Sequence, residues 1–315
     1  MDEIDNVLSP ETSEPAEYML ETSESTEPGT LYIVATPIGN SRDMSSRGIH
    51  ILSECDMIAA EDTRRSMVLL NKLGIRNRLV SNHKFNEYGK AKFFISELKN
   101  GKSIAVITDA GTPCISDPGN ELIKAAIEED IRIVGIPGCC AAINALSVSG
   151  FDLSSFLFYG FFPRENAERK KLLEKMRRSD TKTFAFYESP KRIMELVEFF
   201  AEAEADILLC LCNDMTKLHE MTFRGTPKEV KEKLLIKGNY DKGEYAVIIE
   251  VQEAYRFTKK EHTVSPEALL MEIMVANKLT NTKDAVTALL ADPNNSYSKN
   301  ELKAASLNMK KILIP

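Results

Sequence analysis

The sequence predicts an α/β protein made of two α/β domains, the first on a parallel sheet and the second on a mixed sheet, followed by a small helical module. Three observations carry this. Short, mainly apolar, β-rich runs alternate with amphipathic stretches between residues 30 and 150, and strands apolar on both faces belong to parallel sheets covered by helices on each side. Beyond Phe151 the alternation continues, but two close, short runs around Leu218 and Gly225 suggest a hairpin and therefore antiparallel pairing. The last 60 or so residues carry no strand signal.

Residues 1–28 hold nine acids and no Lys or Arg, among many Ser, Thr and Pro. So little apolar surface does not repay the entropy of ordering, and a disordered acidic tail is expected. The tail also accounts for the net charge. The whole chain has 40 basic and 47 acidic residues, a net of −7, whereas residues 29–315 have 40 and 38. The body is thus near neutral, and a nucleic-acid partner is not excluded.

In the first domain, 29–152, the strand runs are Leu31–Thr36, Met57–Ala60, Ser103–Thr108 and Ile131–Ile136. Helical stretches follow at Arg47–Ser53, Thr63–Leu73, Asn120–Glu129 and Cys140–Val148. The second domain, 153–252, has apolar runs at Phe156–Phe162, Thr183–Tyr187, Ile207–Cys212, Met221–Arg224 and Tyr245–Val251. Charged helices near Glu165–Arg178, Lys191–Ala203 and Pro227–Leu235 separate them. In 253–315, a linker leads to Ser265-Pro266, a capping Ser with Pro in the first turn. Thr282–Ala291 has a helical apolar period, and Ser298 to Glu301 has the form of a capping box.

No uncharged apolar run approaches the ~18–20 residues of a membrane span, and the N-terminus has neither the basic start nor the apolar block of a signal peptide. Six scattered cysteines without a CxxC pair read as reduced packing residues, so no metal centre is expected and the location is cytoplasmic.

Three strand ends run into Gly/Pro loops: Val34 to Asn40, Thr108 to Pro113 and Ile136 to Ala142. Ligands of open parallel sheets bind beyond the carboxyl ends of strands, so three such loops suggest one shared pocket. Neither GxGxxG nor GxxxxGK[ST] is present, the loops contain no Lys, and Asp109 and Asp117 would repel phosphate. Small residues with an acid suit a neutral or cationic cofactor such as S-adenosylmethionine.

Glu61, Asp62, Thr63 and Arg64 form a polar cluster where a strand leads into a helix. They are either a cap with first-turn acids or substrate-facing, the latter favoured because Arg64 and Arg65 sit where a helix dipole disfavours cations. His83, Asn86 and Glu87 lie in another loop. Glu61 and Glu87, with Asp43 third, are the candidate general bases. Arg169, Lys170, Lys171, Arg177 and Arg178 belong to a strongly basic helix, readable as a solvated helix with i,i+4 ion pairs or as an RNA footprint.

The strings LYIVATPIGN (31–40), IAAEDTRRS (58–66), HKFNEYGKA (83–91), ITDAGTPCISDPG (107–119), IPGCCAAINAL (136–146), FYGFFPR (158–164), FYESPKRI (186–193) and KGEYAVIIE (242–250) resemble the rRNA-methylating branch of the tetrapyrrole methylase superfamily. The resemblance implies the two-domain fold of that family and S-adenosylmethionine-dependent 2′-O-methylation of a cytidine in the 16S rRNA decoding centre of the 30S subunit. It also implies a homodimer that holds cofactor in the cleft between the domains. By matching motif positions, the cofactor residues are Pro37, Gly39, Asp109, Ala110, Gly111, Thr112, Pro113, Ile115, Gly138, Ala141, Ala142, Tyr187, Cys212 and Gly243. RNA contacts are implied for Arg64, His83, Asn86 and the basic helix. Asn213-Asp214 stands where the family usually has Arg-Glu. Two other functions stay open: C-methylation of a porphyrin precursor, which the first loop disfavours, and a non-catalytic RNA-binding or assembly role.

Overall fold

Residues 25–83, 87–203, 206–252, 265–292 and 297–313 are described by the computed structural model. The tail expectation for residues 1–24, the RNA contact at Asn86 and the linker at 253–264 lie outside them, as does the side chain of Glu87.

The first sheet contains β1 (Leu31–Val34), β2 (Met57–Ala60), β3 (Leu79–Ser81), β4 (Ile104–Ile107) and β5 (Ile133–Ile136), in the order β3-β2-β4-β1-β5. Every pairing is parallel. Strand side chains alternate between faces, so two cores form. Tyr32, Val34, Ile58, Ala60, Ala105 and Ile107 meet Ile51, Leu52 and Leu70 on one side. The last three come from α1 (Ser46–Glu54) and α2 (Thr63–Lys72). On the other side Leu31, Met57, Ala59, Ile104 and Val106 meet Phe94, Leu98 and Leu122. These belong to α3 (Glu87–Lys99) and α4 (Asn120–Glu128). Covering on both faces is why β2 and β4 are buried along their whole length.

The second sheet has the order β6-β7-β10-β8-β9, from β6 (Phe156–Phe161), β7 (Thr183–Glu188), β8 (Ile207–Asn213), β9 (Met221–Gly225) and β10 (Tyr245–Val251). It is mixed: β6 runs parallel to β7, and the other pairings are antiparallel. A hairpin is present as β8–β9, but Leu218, near which one of its strands was expected, lies in the connection between them, and the first strand is Ile207–Asn213. On one face Phe162 packs between Phe186 and Phe200 of α7 (Ile193–Glu202), its ring centroid 5.6 and 5.5 Å from theirs. Helix α8 (Pro227–Lys237) starts with a complete Thr226–Glu229 capping box and packs on β8 and β9.

The other face is covered by α5 (Ala141–Ser149), whose Ala145 and Leu146 lie among Ala185, Cys210, Cys212, Ala246 and Ile248. By chain position this helix falls in the first expected domain, yet it packs on the second sheet. Both sheets consequently belong to one compact unit, residues up to 169 with 181–251.

The second half of α6 (Asn166–Arg177) groups with the C-terminal helices in a separate unit. There α9 (Pro266–Ala276), α10 (Thr282–Ala291) and α11 (Lys299–Leu313) enclose Leu270, Leu289, Leu302 and Met309. Ser265 and Ser298 cap α9 and α11 as the sequence suggested.

Candidate active site

The carboxyl ends of β1 and β4 are tied together beyond the sheet. Thr36 and Gly111 exchange backbone hydrogen bonds of 2.8 and 3.0 Å, and the Thr36 hydroxyl donates to Thr108 O at 3.1 Å. Gly111 has φ of +87°, a conformation most side chains resist. The Thr112 hydroxyl then donates to Cys139 O at 2.9 Å, joining the β4 loop to the β5 loop. Three loops from one sheet edge thus form a braced floor.

A cleft of about 280 Å³ opens above this floor. Ile38, Ala110, Gly111, Thr112, Ile115, Ser116 and Asp117 come from the first sheet's loops, and Cys140 and Ala141 from the start of α5. The opposite wall is Phe161 and the run Tyr187 to Pro190, with Met215 and Glu244 to Ala246. Tyr187 bridges the two sides, since its hydroxyl accepts from Ala142 N at 3.2 Å. Burial pushes the Tyr187 phenol up to about 12, which keeps it neutral.

The electrostatics are one-sided. Among the described residues, three carboxylates line the cleft and no Lys or Arg does. Glu188 is held by Ser189 N at 2.7 Å and by Arg192 at 3.3 Å. Glu244 pairs with Lys217 at 2.8 Å. Asp117 is pushed up to about 6, first by burial and then by the nearby charges of Glu61 and Asp109. Behind it, Glu61 accepts from the Thr108 hydroxyl at 2.6 Å and from Asp109 N at 3.3 Å. Asp109 takes a 2.8 Å bond from Arg65. Its carboxyl is nonetheless raised, mainly by burial and then by Glu61.

Phosphate is a poor fit for such a lining, because among the described residues its charged groups are all acids, and the cations that pair with two of them, Arg192 and Lys217, stand outside the lining. A cationic, largely apolar molecule fits better. The residues therefore suit a sulfonium cofactor on charge and on small-residue clearance.

The sequence of this chain matches the profile of the tetrapyrrole (corrin/porphyrin) methylases over residues 30–231. The chain belongs to the tetrapyrrole methylase family. Among curated relatives, "Ribosomal RNA small subunit methyltransferase I" of Haemophilus influenzae is 40% identical over 275 residues, which is 87% of this chain and 95% of that protein. The protein of the same name from Halalkalibacterium halodurans is 42% identical, over 70% of this chain and 76% of its own length. A solved diphthine synthase shares the fold, with a TM-score of 0.53 at 12% identity, covering 70% of this chain and 90% of that one.

Within this tetrapyrrole methylase, six of the residues singled out from the sequence line the cleft: Ala110, Gly111, Thr112, Ile115, Ala141 and Tyr187. Pro37 and Pro113 are buried in the loops behind it. Gly138 and Gly39 serve close approach: a Cβ on Gly138 would stand 2.8 Å from Ala35 Cβ, and one on Gly39 would stand 2.7 Å from the Thr216 hydroxyl. Asp109 braces Glu61, Asp62 and Arg65, and Ala142 supplies the amide that Tyr187 accepts.

Three expectations need correction. Cys212 is 1% exposed and lies in the second core, 3.9 Å from Cys210 Sγ, so its side chain packs and does not face the cleft. Gly243 has φ of +85°, and a Cβ there would stand 2.2 Å from Asp214 Oδ2, so it makes room for Asp214. Arg169 is 5% exposed, bonded to Pro163 O at 2.9 Å and Glu195 at 2.8 Å, over the Phe162 ring. With its guanidinium committed to the fold, Arg169 is no RNA contact.

The other cations are accessible. Lys170, Lys171 and Arg178 are exposed, and Arg177 pairs with Glu174 at 3.1 Å. Arg64 is exposed and paired with Asp62, which also caps α2, as the capping reading of that cluster has it. His83 is half-buried. Asn213 replaces the family's usual Arg with an internal bracket, its amide donating to Lys242 O and Glu244 O at 3.3–3.4 Å.

Sequence reasoning missed Ile38, Ser116, Cys140, Met215 and the run Glu188 to Pro190. Asp117 was read only as a repeller of phosphate. Both Asp117 and Glu188 lie inside strings that carry the family resemblance, which was the available signal.

Proposed function

We propose that this protein is an S-adenosylmethionine-dependent rRNA methyltransferase that modifies the 2′-oxygen of a cytidine in the 16S decoding centre of the 30S subunit. The observation that carries the reading is a cleft lined, among the described residues, by three carboxylates and no cation, in a chain of this family. The relatives' printed names support rRNA as the substrate class.

When bound, S-adenosylmethionine supplies an electrophilic methyl group on a positively charged sulfur. Ala110 to Thr112, Ile115 and Ala141 would hold it from the first sheet's loops and Tyr187 from the second sheet, with Asp117, Glu188 and Glu244 giving the site its negative potential. Orientation is the protein's main task, since well-aligned reactants save ~7–11 kcal/mol of barrier. The braced floor supplies it, because Thr36, Gly111, Thr112 and Cys139 are hydrogen-bonded into one piece. Arg64, His83, Lys170, Lys171, Arg177 and Arg178 are the proposed RNA contacts.

The protein works in the cytoplasm as a homodimer on this reading. Among the described residues no helix is long and apolar enough to cross a membrane. Exposed Phe156, Leu157 and Phe161 on the edge strand β6 support a partner face.

Radiolabelled S-adenosylmethionine and 30S subunits lacking the modification test the function. Label on the 2′-oxygen of a decoding-centre cytidine is the expected result. Label on a porphyrin precursor instead, or no transfer at all, would overturn it.

A further inference from the structure

The parallel pair β6–β7 carries an irregularity at its cleft end. Phe158 lies opposite Ala185, but two residues further along β7 the partner of Tyr187 is Phe161, so β6 holds one extra residue, a β-bulge. Regular pairing would set Gly160 opposite Tyr187 and turn Phe161 to the α7 face. The bulge brings Phe161 onto the Tyr187 face instead, with the two rings 5.9 Å apart and edge-on at 68°. Gly160 makes this possible: its φ is +71°, and a Cβ there would stand 3.3 Å from the hydroxyl oxygen of Ser116 in the β4 loop. The phenyl ring that results lines the cleft and is still 61% exposed. Phe156 and Leu157, the other exposed apolar residues of this strand, are at its far end and outside the lining.

The backbone beside this ring is fixed from both strands, which leaves the ring itself to adapt. Phe162 N donates to Tyr187 O at 3.2 Å. Arg192 Nη2 donates to Phe162 O at 3.1 Å and to Pro163 O at 2.8 Å, and Arg169 Nε donates to Pro163 O at 2.9 Å. Two arginines are thus committed to building the rim. Two other cations are not. Arg164, three residues beyond Phe161, and Lys191, four beyond Tyr187, are exposed and have no ion-pair partner among the described residues. Both follow the carboxyl ends of parallel neighbours, so they lie at the same end of the second sheet. Glu165 and Glu168, beside Arg164, occupy the start of α6, where the helix dipole favours acids.

We propose that Phe161, Arg164 and Lys191 form an RNA-docking rim of the cleft, where a base from a single-stranded stretch stacks on the Phe161 ring and the two cations hold flanking phosphates. The assignment rests on the function proposed above and names the residues that present its substrate. The chemistry is that of single-strand recognition: an aromatic face accepts any base, and neighbouring Lys and Arg follow the backbone. It also meets a need of the reaction. A ribose hydroxyl lies between base and phosphate, so holding both places it. The charges agree, since the acids line the cleft while the free cations stand beyond it. Phosphate is held at the rim and a sulfonium is drawn inside.

The test measures binding to 30S subunits lacking the modification. Phe161→Ala should weaken Kd ~5–150-fold, the loss of one stacked base. Phe161→Leu keeps the apolar bulk and should bind as poorly, whereas Phe161→Trp should bind at least as well as wild type. Arg164→Ala and Lys191→Ala should each lower the salt slope of binding by ~0.7–0.9. The chain has no tryptophan, so in Phe161→Trp the indole reports alone. Its fluorescence should be quenched by a short cytidine oligoribonucleotide and not by S-adenosylmethionine.

Wild-type binding in Phe161→Ala or in Phe161→Leu would overturn the assignment. So would quenching by S-adenosylmethionine alone, which would seat its adenine on the ring. A changed oligomeric state of Phe161→Ala in light scattering would also overturn it, because the ring would then belong to the partner face. Methyl transfer separates this reading from the one beneath it. A wild type that labels no RNA, while the oligonucleotide still quenches Phe161→Trp, overturns the function and leaves the rim. Labelled RNA with unchanged Phe161→Ala binding overturns the rim alone.

Discussion

Replacing Gly138 by Ala tests the claim that the cleft floor is one braced piece. A Cβ at that position would stand 2.8 Å from Ala35 Cβ, with Ala35 O at 3.5 Å. Ordinary carbon contacts lie at ~3.5–4.0 Å, so the β5–α5 loop must withdraw by about 1 Å. Nothing flexible yields, because Ala35 directly follows β1 and is itself 4% exposed. Overpacking of this kind costs ~1–3 kcal/mol, or a Tm lower by roughly 2–12 °C in a unit of this size.

The same withdrawal stretches the 2.9 Å bond from the Thr112 hydroxyl to Cys139 O beyond hydrogen-bonding range. A net hydrogen bond is worth ~0.5–1.5 kcal/mol, which translates to about 2–10-fold weaker cofactor binding. Differential scanning calorimetry and titration calorimetry of Gly138→Ala against wild type measure both. A variant with wild-type Tm and wild-type affinity would refute the close approach and the bracing together.

Other expectations follow from single residues. Arg169→Gln should destabilise the protein by ~1.5–3 kcal/mol, seen as a lower denaturant midpoint, since the charged donor to Pro163 O and Glu195 is lost. The salt slope of RNA binding should not change in that variant, whereas Lys170→Ala or Lys171→Ala should each lower it by roughly 0.7–0.9 if that cation contacts phosphate. Burial pushes the Cys55 thiol up to about 12, so native protein at pH 8 should leave Cys55 unalkylated by iodoacetamide until it is unfolded. Peptide mapping after labelling reads the result, and modified Cys55 in native protein would contradict it.

Much of the first sheet was readable because β2 and β4 are buried from end to end, which forces apolar residues at every position. Helix α5 was equally visible, but an apolar face does not say which sheet will cover it. Only the folded chain shows it on β7, β8 and β10. The same limit applies to the cleft. Ala110, Gly111 and Ala141 belong to Gly/Pro-punctuated loops at parallel strand ends, where the binding rule is directional. Glu188 and Tyr245 are paired neighbours on antiparallel strands, one leaving the sheet there and the other entering, and no such rule applies.

Arg169 was misread from its charged neighbours. Its spacing to Leu172, Leu173 and Met176 is three, four and seven residues, and all four are buried. That period places the arginine on the apolar stripe of α6, and it was there to be read.

The Thr36–Gly111 bridge adds an extra rung to the sheet beyond the last residue of β1. Loop amides normally exchange with solvent deuterium through small local openings, quickly and independently of the core. Thr36 N and Gly111 N can exchange only when the rung breaks, which separates the β1 and β4 loops. Their protection would therefore approach that of strand interiors, and the cleft's floor would open on the timescale of the sheet rather than of its loops. A ligand entering the cleft then meets a floor already in place, and the ordering left to do falls on the wall that carries Phe161, Tyr187 and Met215.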